Sequence, residues 1–210
     1  MKFNTFEKYF IKHRTKKKEL EETKFLYFGY GSNMLLKKLQ NDGSDDGPKR
    51  CPSAEYKYNC WVENYEFSFG KLSQDGSGKC NITKTEDDKS VIRGVLFSIL
   101  ENEKNDLTDA EGANSPSATG YKIEHDFVVR TEKSDEFPNG TAKTVTYIAT
   151  GTGTDDKTRI PFDWYKAQVV QGAKCYKLPP WYIEKIENDF TDKKDRDDPT
   201  RDQREWDYLA

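Results

Sequence analysis

Residues 25–33 read Phe-Leu-Tyr-Phe-Gly-Tyr-Gly-Ser-Asn, and no other run constrains the fold of this chain as strongly. The apolar and aromatic half has the composition of a buried strand. It ends abruptly in Gly-Ser-Asn, and Met34, Leu35, Leu36 and Leu39 then follow at helical spacing. A strand that turns tightly into a helix leaves several backbone N–H groups without partners at one point, and such a point binds a carboxylate or a phosphate. Gly31 lets backbone approach a ligand closely, and Ser32 and Asn33 have the side chains of good N-caps. An ordinary capped strand-to-helix turn has the same local signature, so the run by itself leaves both readings open.

The rest of the chain reads as many short strands with a few helices. Residues 56–62 alternate, with Tyr56, Tyr58, Cys60 and Val62 on one side, and residues 65–69 alternate again. Gln74-Asp-Gly-Ser-Gly is a turn. Residues 79–84 and 91–99 are further strands, with Glu86-Asp-Asp-Lys expected as a hairpin connection between them. Residues 101–110 read as helix, 121–130 and 143–150 as strands, and 162–174 and 180–190 as helices, with Pro161 expected in a first helical turn. There is no internal repeat and no strict βαβ alternation, so the class is α+β. The loop at 41–55 is rich in Asp, Gly, Pro and Ser and is expected to be mobile.

At 210 residues the chain can form one domain with a substantial core. Its 34% charged content is concentrated in residues 7–24, 41–50 and 187–210. This divides it into a charged helical extension (1–24), a domain (25–190) and a charged tail (191–210). Phe3, Phe6, Tyr9, Phe10 and His13 form a stripe that fits an amphipathic helix packed on the domain or on a second subunit, so a homodimer is one expectation. The cluster Lys12, Arg14, Lys16, Lys17 and Lys18 is followed by Glu19, Glu21 and Glu22, which would pair with it along a helix. With a net charge of −3, neither nucleic acid nor an anionic membrane is expected as a partner. No run is long and apolar enough to span a bilayer, and the N-terminus lacks a signal-peptide core, so a cytoplasmic location is expected. Cys51, Cys60, Cys80 and Cys175 form no CxxC pair and only His13 and His125 could join them, which argues against zinc and for reduced thiols. The sequons at Asn81 and Asn139 are read as chance matches.

Four blocks carry a resemblance: Phe28-Gly-Tyr-Gly-Ser-Asn-Met34; Asn64-Tyr-Glu-Phe-Ser-Phe-Gly70; Leu107-Thr-Asp-Ala-Glu-Gly112 with Gly120-Tyr121 downstream; and Pro161-Phe-Asp-Trp-Tyr165 with Gly172-Ala173 and Leu178-Pro179. In this order they resemble the γ-glutamylcyclotransferase family over roughly residues 25–190. The resemblance implies a mixed, barrel-like β-sheet with helices packed outside and a pocket at one end. It also implies an intramolecular reaction on a γ-glutamyl substrate: the α-amino group attacks the γ-carbonyl, an amine leaves, and 5-oxoproline remains.

That reaction moves two protons, one off the attacking ammonium and one onto the departing amine, and a single carboxyl group placed between the nitrogens can carry both. The resemblance assigns this role to Glu111; read locally, Glu111 is a glutamate at a helix end. Asp106 and Asp109 would face elsewhere on the helix. No nucleophilic side chain, metal or organic cofactor is required, since the nucleophile arrives with the substrate. The backbone N–H groups of Gly31, Ser32 and Asn33 are candidates to hold either the developing oxyanion or the substrate α-carboxylate. Tyr30, Tyr121, Tyr147 and Tyr165 are candidates for neutral polar contacts, core packing being the alternative for the last three.

The chain departs from the family pattern in Met34, in a longer Glu111-to-Tyr121 loop and in its two extensions. Competing readings are a relative specific for glutathione or for γ-glutamylamines, against which Asn33 argues, and a non-catalytic binding or interaction module on the same fold.

Overall fold

A computed structural model describes residues 23–41, 43, 47–114, 120–149, 156, 158–194, 201, 203, 205, 206, 208 and 209. The expected helix over 1–24 lies outside the described residues up to residue 22, and Lys24 already belongs to the first strand.

Among the described residues seven strands form: β1 (Lys24–Gly29), β2 (Glu55–Glu63), β3 (Tyr65–Leu72), β4 (Gly78–Lys84), β5 (Val91–Leu100), β6 (Tyr121–Thr131) and β7 (Thr141–Ala149). Helices α1 (Leu36–Leu39), α2 (Lys104–Ala110), α3 (Asp163–Cys175) and α4 (Pro180–Asn188) join them, with 3-10 turns at Ser32–Met34 and Glu101–Glu103. Five strands close a barrel in the order β1-β5-β2-β6-β7. The pairs within it are antiparallel except at the seam, where β1 meets β7 in parallel at Tyr27 and Val145. Closure leaves this sheet without a free edge.

The helices pack outside, so the expectation of a mixed barrel-like sheet holds. Phe28, Val95, Leu96, Phe97 and Ile99 are fully buried, and since successive strand residues point to opposite faces, both sides of this sheet are covered. A phenyl group such as that of Phe28 contributes roughly 2–3 kcal/mol by leaving water.

Three expectations are corrected. The segment 86–89 does not connect paired strands: β4 pairs with β3, and β5 pairs with β1 and β2. The β3–β4 ribbon is thus an insertion beside the barrel, and alternation within single strands carries no information on which strands are partners. Tyr56 does not share the inward face with Cys60 and Val62. A register shift between Tyr56 and Tyr58 turns it to the surface, where it stacks on Tyr176 with ring centroids 4.7 Å apart. Pro161 precedes the N-cap residue Phe162 and lies outside α3, whereas Pro180 opens α4.

The described part of the 41–55 loop is anchored. Arg50 N–H donates to Asn41 O at 2.8 Å, Cys51 N–H to Leu39 O at 3.0 Å, and Cys51 and Ala54 are fully buried. Residues of the C-terminal segment also pack on the domain: Gln168 Nε2 donates to Glu205 O at 2.7 Å and Asn41 Nδ2 to Tyr208 OH at 2.5 Å. Cys51, Cys60 and Cys80 are buried free thiols and Cys175 is an exposed one. Asn81 is buried, and its Oδ1 accepts from Ala149 N–H at 3.0 Å, so its sequon is inaccessible in the folded chain. Among the described residues no helix is long and apolar enough to cross a membrane.

Candidate active site

The strand β1 delivers Tyr30 and Gly31 to the end of the barrel, where the chain turns through Ser32–Met34. Met34 N–H donates to Gly31 O at 2.9 Å and Leu35 N–H to Ser32 O at 3.0 Å. The N–H groups ahead of the first of these bonds have no acceptor within the turn. Gly31 sits so close to β4 that a Cβ there would lie 3.0 Å from Cys80 Cβ and 3.2 Å from its sulfur. Steric fit, rather than a left-handed backbone, therefore accounts for glycine at this position (φ −117°).

Glu111 caps the C-terminal end of α2, and Gly112 takes the left-handed conformation that ends the helix (φ +67°). This geometry turns the Glu111 carboxylate toward the 31–33 turn. Asn33 Nδ2 donates to Glu111 Oε1 at 2.9 Å and stands 3.0 Å from Tyr27 OH. Arg50 Nη1 donates to the same Glu111 oxygen at 2.9 Å and to Asn33 Oδ1 at 3.0 Å. The Arg50 and Glu111 side chains are only 13% and 14% exposed. Burial works against the Arg50 charge, but the charge and hydrogen bond of Glu111 together outweigh it, so Arg50 holds its proton more tightly than usual. Asp106 pairs with Lys49 at 3.2 Å and Asp109 accepts from Asn114 at 2.6 Å, both away from this cluster.

Glu111, Tyr30, Gly31, Ser32, Asn33, Tyr121, Tyr147 and Tyr165 all border one pocket, together with Tyr27 and Cys80. All the residues singled out from sequence therefore converge, although they come from five separate segments. Tyr30 OH donates to Tyr147 O at 2.5 Å and Tyr121 OH to Cys80 O at 2.6 Å. Tyr165 OH accepts from Cys80 N–H at 3.2 Å, and Tyr147 OH and Thr108 Oγ1 are 2.8 Å apart. Burial is the main force holding the Tyr27, Tyr30, Tyr121 and Tyr165 hydroxyls well above the usual phenol range, so all four are neutral and can donate hydrogen bonds. Burial likewise pushes the Cys80 thiol up to about 12. The inner end of the pocket offers about 30 Å³, room for water-sized groups. Ser32, Glu111, Tyr121 and Tyr165 are shared with a larger cavity of about 280 Å³ beyond them.

Sequence reasoning missed Arg50 and Tyr27. Arg50 is one of 34 Lys and Arg residues and sits in a loop that composition marks as mobile, so nothing singled it out. Tyr27 carried a usable signal: a tyrosine inside a Phe- and Leu-rich strand brings a hydroxyl that needs a partner when buried. Among the described residues no group of His, Cys, Asp and Glu is arranged to hold a metal ion.

No protein-family model matches the chain. It is 28% identical over 182 residues to human gamma-glutamylcyclotransferase, covering 82% of this chain and 85% of the relative. A solved structure titled gamma-glutamyl cyclotransferase superposes with a TM-score of 0.62 at 23% identity, over 87% of this chain and 99% of the other, and defines the fold class. A second, a human protein titled uncharacterized, gives 0.61 at 25% identity over 86% and 98%. The chain thus shares the fold of these proteins and is similar in sequence to human gamma-glutamylcyclotransferase over most of its length.

Proposed function

We propose that the protein is a γ-glutamylcyclotransferase that converts γ-glutamyl amino acids or peptides to 5-oxoproline and a free amine. The observation that carries this reading is the position of Glu111 Oε1, 2.9 Å from Asn33 Nδ2, on the pocket bordered by the 31–33 turn. The human relative, which is named for this activity, supports it.

In this mechanism the γ-glutamyl group folds back on itself in the pocket. The substrate α-amino nitrogen forms a bond to its own γ-carbon as Glu111 removes a proton from that nitrogen. The bond from the γ-carbon to the leaving nitrogen then breaks, and Glu111 returns the proton to it. The N–H groups of residues 31–33 stabilise the oxyanion or hold the α-carboxylate. Arg50 and Asn33 fix the carboxylate, leaving its second oxygen free to face the nitrogens. Tyr30, Tyr121, Tyr147 and Tyr165 offer uncharged hydrogen-bond donors that hold the five-membered geometry. Atoms and electrons balance without an oxidant, a reductant or an organic cofactor, so the reaction is lyase-like. The inner pocket opens past Ser32, Glu111, Tyr121 and Tyr165 into the larger cavity, and the two together receive the substrate. We assign the protein to the cytoplasm, with small γ-glutamyl molecules rather than nucleic acid as its ligands.

The test is 5-oxoproline release from γ-glutamyl-alanine, γ-glutamyl-ε-lysine and glutathione, followed by mass spectrometry. The expected result is product from wild type and a loss of at least ~10²-fold in Glu111→Gln. Unchanged turnover in Glu111→Gln would remove the mechanism. Absence of product from every substrate, with a ligand still bound, would favour a binding module.

A further inference from the structure

Past Ser32, Glu111, Tyr121 and Tyr165, the cavity of about 280 Å³ is lined by five cations: Lys38, Arg50, Lys71, Lys79 and Arg201. Among the described residues three carboxylates face them, those of Asp75, Glu111 and Glu205. Each has a close cation already: Lys38 with Glu205 at 2.8 Å, Arg50 with Glu111 at 2.9 Å, and Arg201 with Asp75 at 3.2 Å. Lys71 and Lys79 carry the excess charge.

Both lysines are held against the pocket walls. Lys79 Nζ is buried and makes no hydrogen bond. It lies 4.4 Å from the centre of the Tyr165 ring and 4.5 Å from that of Trp164, with the already paired Asp75 at 3.6 Å. Lys71 Nζ lies 4.7 Å from the Tyr121 ring centre and has no hydrogen bond or ion pair among the described residues. A buried ammonium without hydrogen bonds is costly, and ring faces replace only part of its lost hydration. Lys71 offers three N–H donors to an anion entering the cavity, and the enclosed Lys79 ammonium adds its charge from the cavity wall.

Resting on the cyclotransferase reading, we propose that Lys71 and Lys79 form the subsite for the leaving amine, and that this amine is a dicarboxylic amino acid such as glutamate or aspartate. The geometry follows from the chemistry. The leaving nitrogen must meet Glu111, which stands on the boundary between the inner pocket and the cavity. An amino acid bonded through that nitrogen projects its α-carboxylate and its side chain outward, into the cavity. Two excess ammonium groups match two carboxylates. A neutral amide leaves both unmatched, and a cationic amine meets like charge.

The test compares kcat/KM for γ-glutamyl-glutamate, γ-glutamyl-alanine and γ-glutamyl-alanine amide in wild type, Lys71→Gln and Lys79→Met. Wild type is expected to follow that order, with glutamate at least about tenfold above the amide and the gap narrowing as salt is added. In each variant the glutamate-to-amide ratio is expected to fall about tenfold. Equal kcat/KM for the three substrates, or an unchanged ratio in both variants, overturns the subsite while 5-oxoproline formation leaves the cyclotransferase reading standing. No 5-oxoproline from any of them overturns both.

Discussion

Arg50 and Glu111, 61 residues apart in sequence, meet through a 2.9 Å charge-assisted hydrogen bond in a largely buried setting. The pair joins the loop before β2 to the end of α2, with Asn33 bridging to both side chains. Arg50 and Asn33 thereby fix together the carboxylate on which the proposed chemistry depends.

Arg50→Met is expected to leave the Glu111 carboxylate buried without its cation and to lower stability by ~3 kcal/mol. Chemical denaturation measures the loss. The double variant Arg50→Met/Glu111→Gln removes both charges and should recover most of it. A double variant no more stable than Arg50→Met would mean that the arginine acts on the fold independently of Glu111.

Two glycine variants should separate clash from backbone strain. In Gly172→Ala the new Cβ would lie 2.7 Å from Met34 Cβ and 2.9 Å from Leu35 N. Helix α3 would be pushed off the 32–34 turn, costing ~1–3 kcal/mol despite the better helix propensity of alanine, and raising KM. In Gly112→Ala the Cβ meets nothing within 4 Å but the backbone is left-handed, so ~1 kcal/mol is expected with no change in KM. Thermal melts with parallel kinetics distinguish the two patterns.

Lys79 gives a pH dependence of definite sign. Burial, offset in part by Asp75, lowers its pKa from 10.5 to about 8. The folded chain thus binds this proton less tightly than the unfolded chain, a difference worth ~3 kcal/mol. The penalty is present in full below pH 8 and is relieved as pH rises from 8 toward 10.5. Lys79→Met should therefore be more stable than wild type at pH 7, by ~1–2 kcal/mol after the lost ring contacts are allowed for, and the advantage should shrink above pH 8. Urea midpoints at pH 7 and pH 9.5 check it. Preference for an acidic leaving amine should fade over the same rise in pH.

Tyr30→Phe removes the donor to the Tyr147 carbonyl. The buried carbonyl loses its partner, for ~1–2 kcal/mol of stability, and kcat/KM should fall about tenfold as a substrate contact disappears. A shifted melting temperature with unaltered kinetics would assign the hydroxyl to the fold alone.

The parts of this molecule legible in its sequence are those written in local chemistry. The strand entering Gly31-Ser32-Asn33 is visible because burial and turning need different residues side by side, and Glu111 is visible through the block around it. Pairing was not legible. Nothing in residues 79–99 indicates that β4 folds back on β3 while β5 joins the barrel, since alternation looks the same for either partner. Arg50, Lys71 and Lys79 were hidden for the opposite reason. In a chain this rich in lysine and arginine, burial is what distinguishes them, and burial is a property of the whole fold. Tyr56 was misplaced by a single extra residue in a strand, which reverses the inference from period two on one side of the shift and leaves Cys60 and Val62 buried on the other.

The peptide unit around Cys80 belongs to the inserted ribbon, yet its N–H reaches Tyr165 on α3 and its C=O reaches Tyr121 on β6. One residue of β4 thus latches a helix and a barrel strand together by means of the two hydroxyls that a γ-glutamyl group would seek. At Tyr121 the ligand and the ribbon are rivals for one hydroxyl proton, whereas Tyr165 accepts from the ribbon and keeps its own proton for a ligand. Occupancy of the site is therefore coupled to how firmly β4 is docked, and amide hydrogen exchange along residues 78–84 should report the arrival of substrate as directly as product formation does.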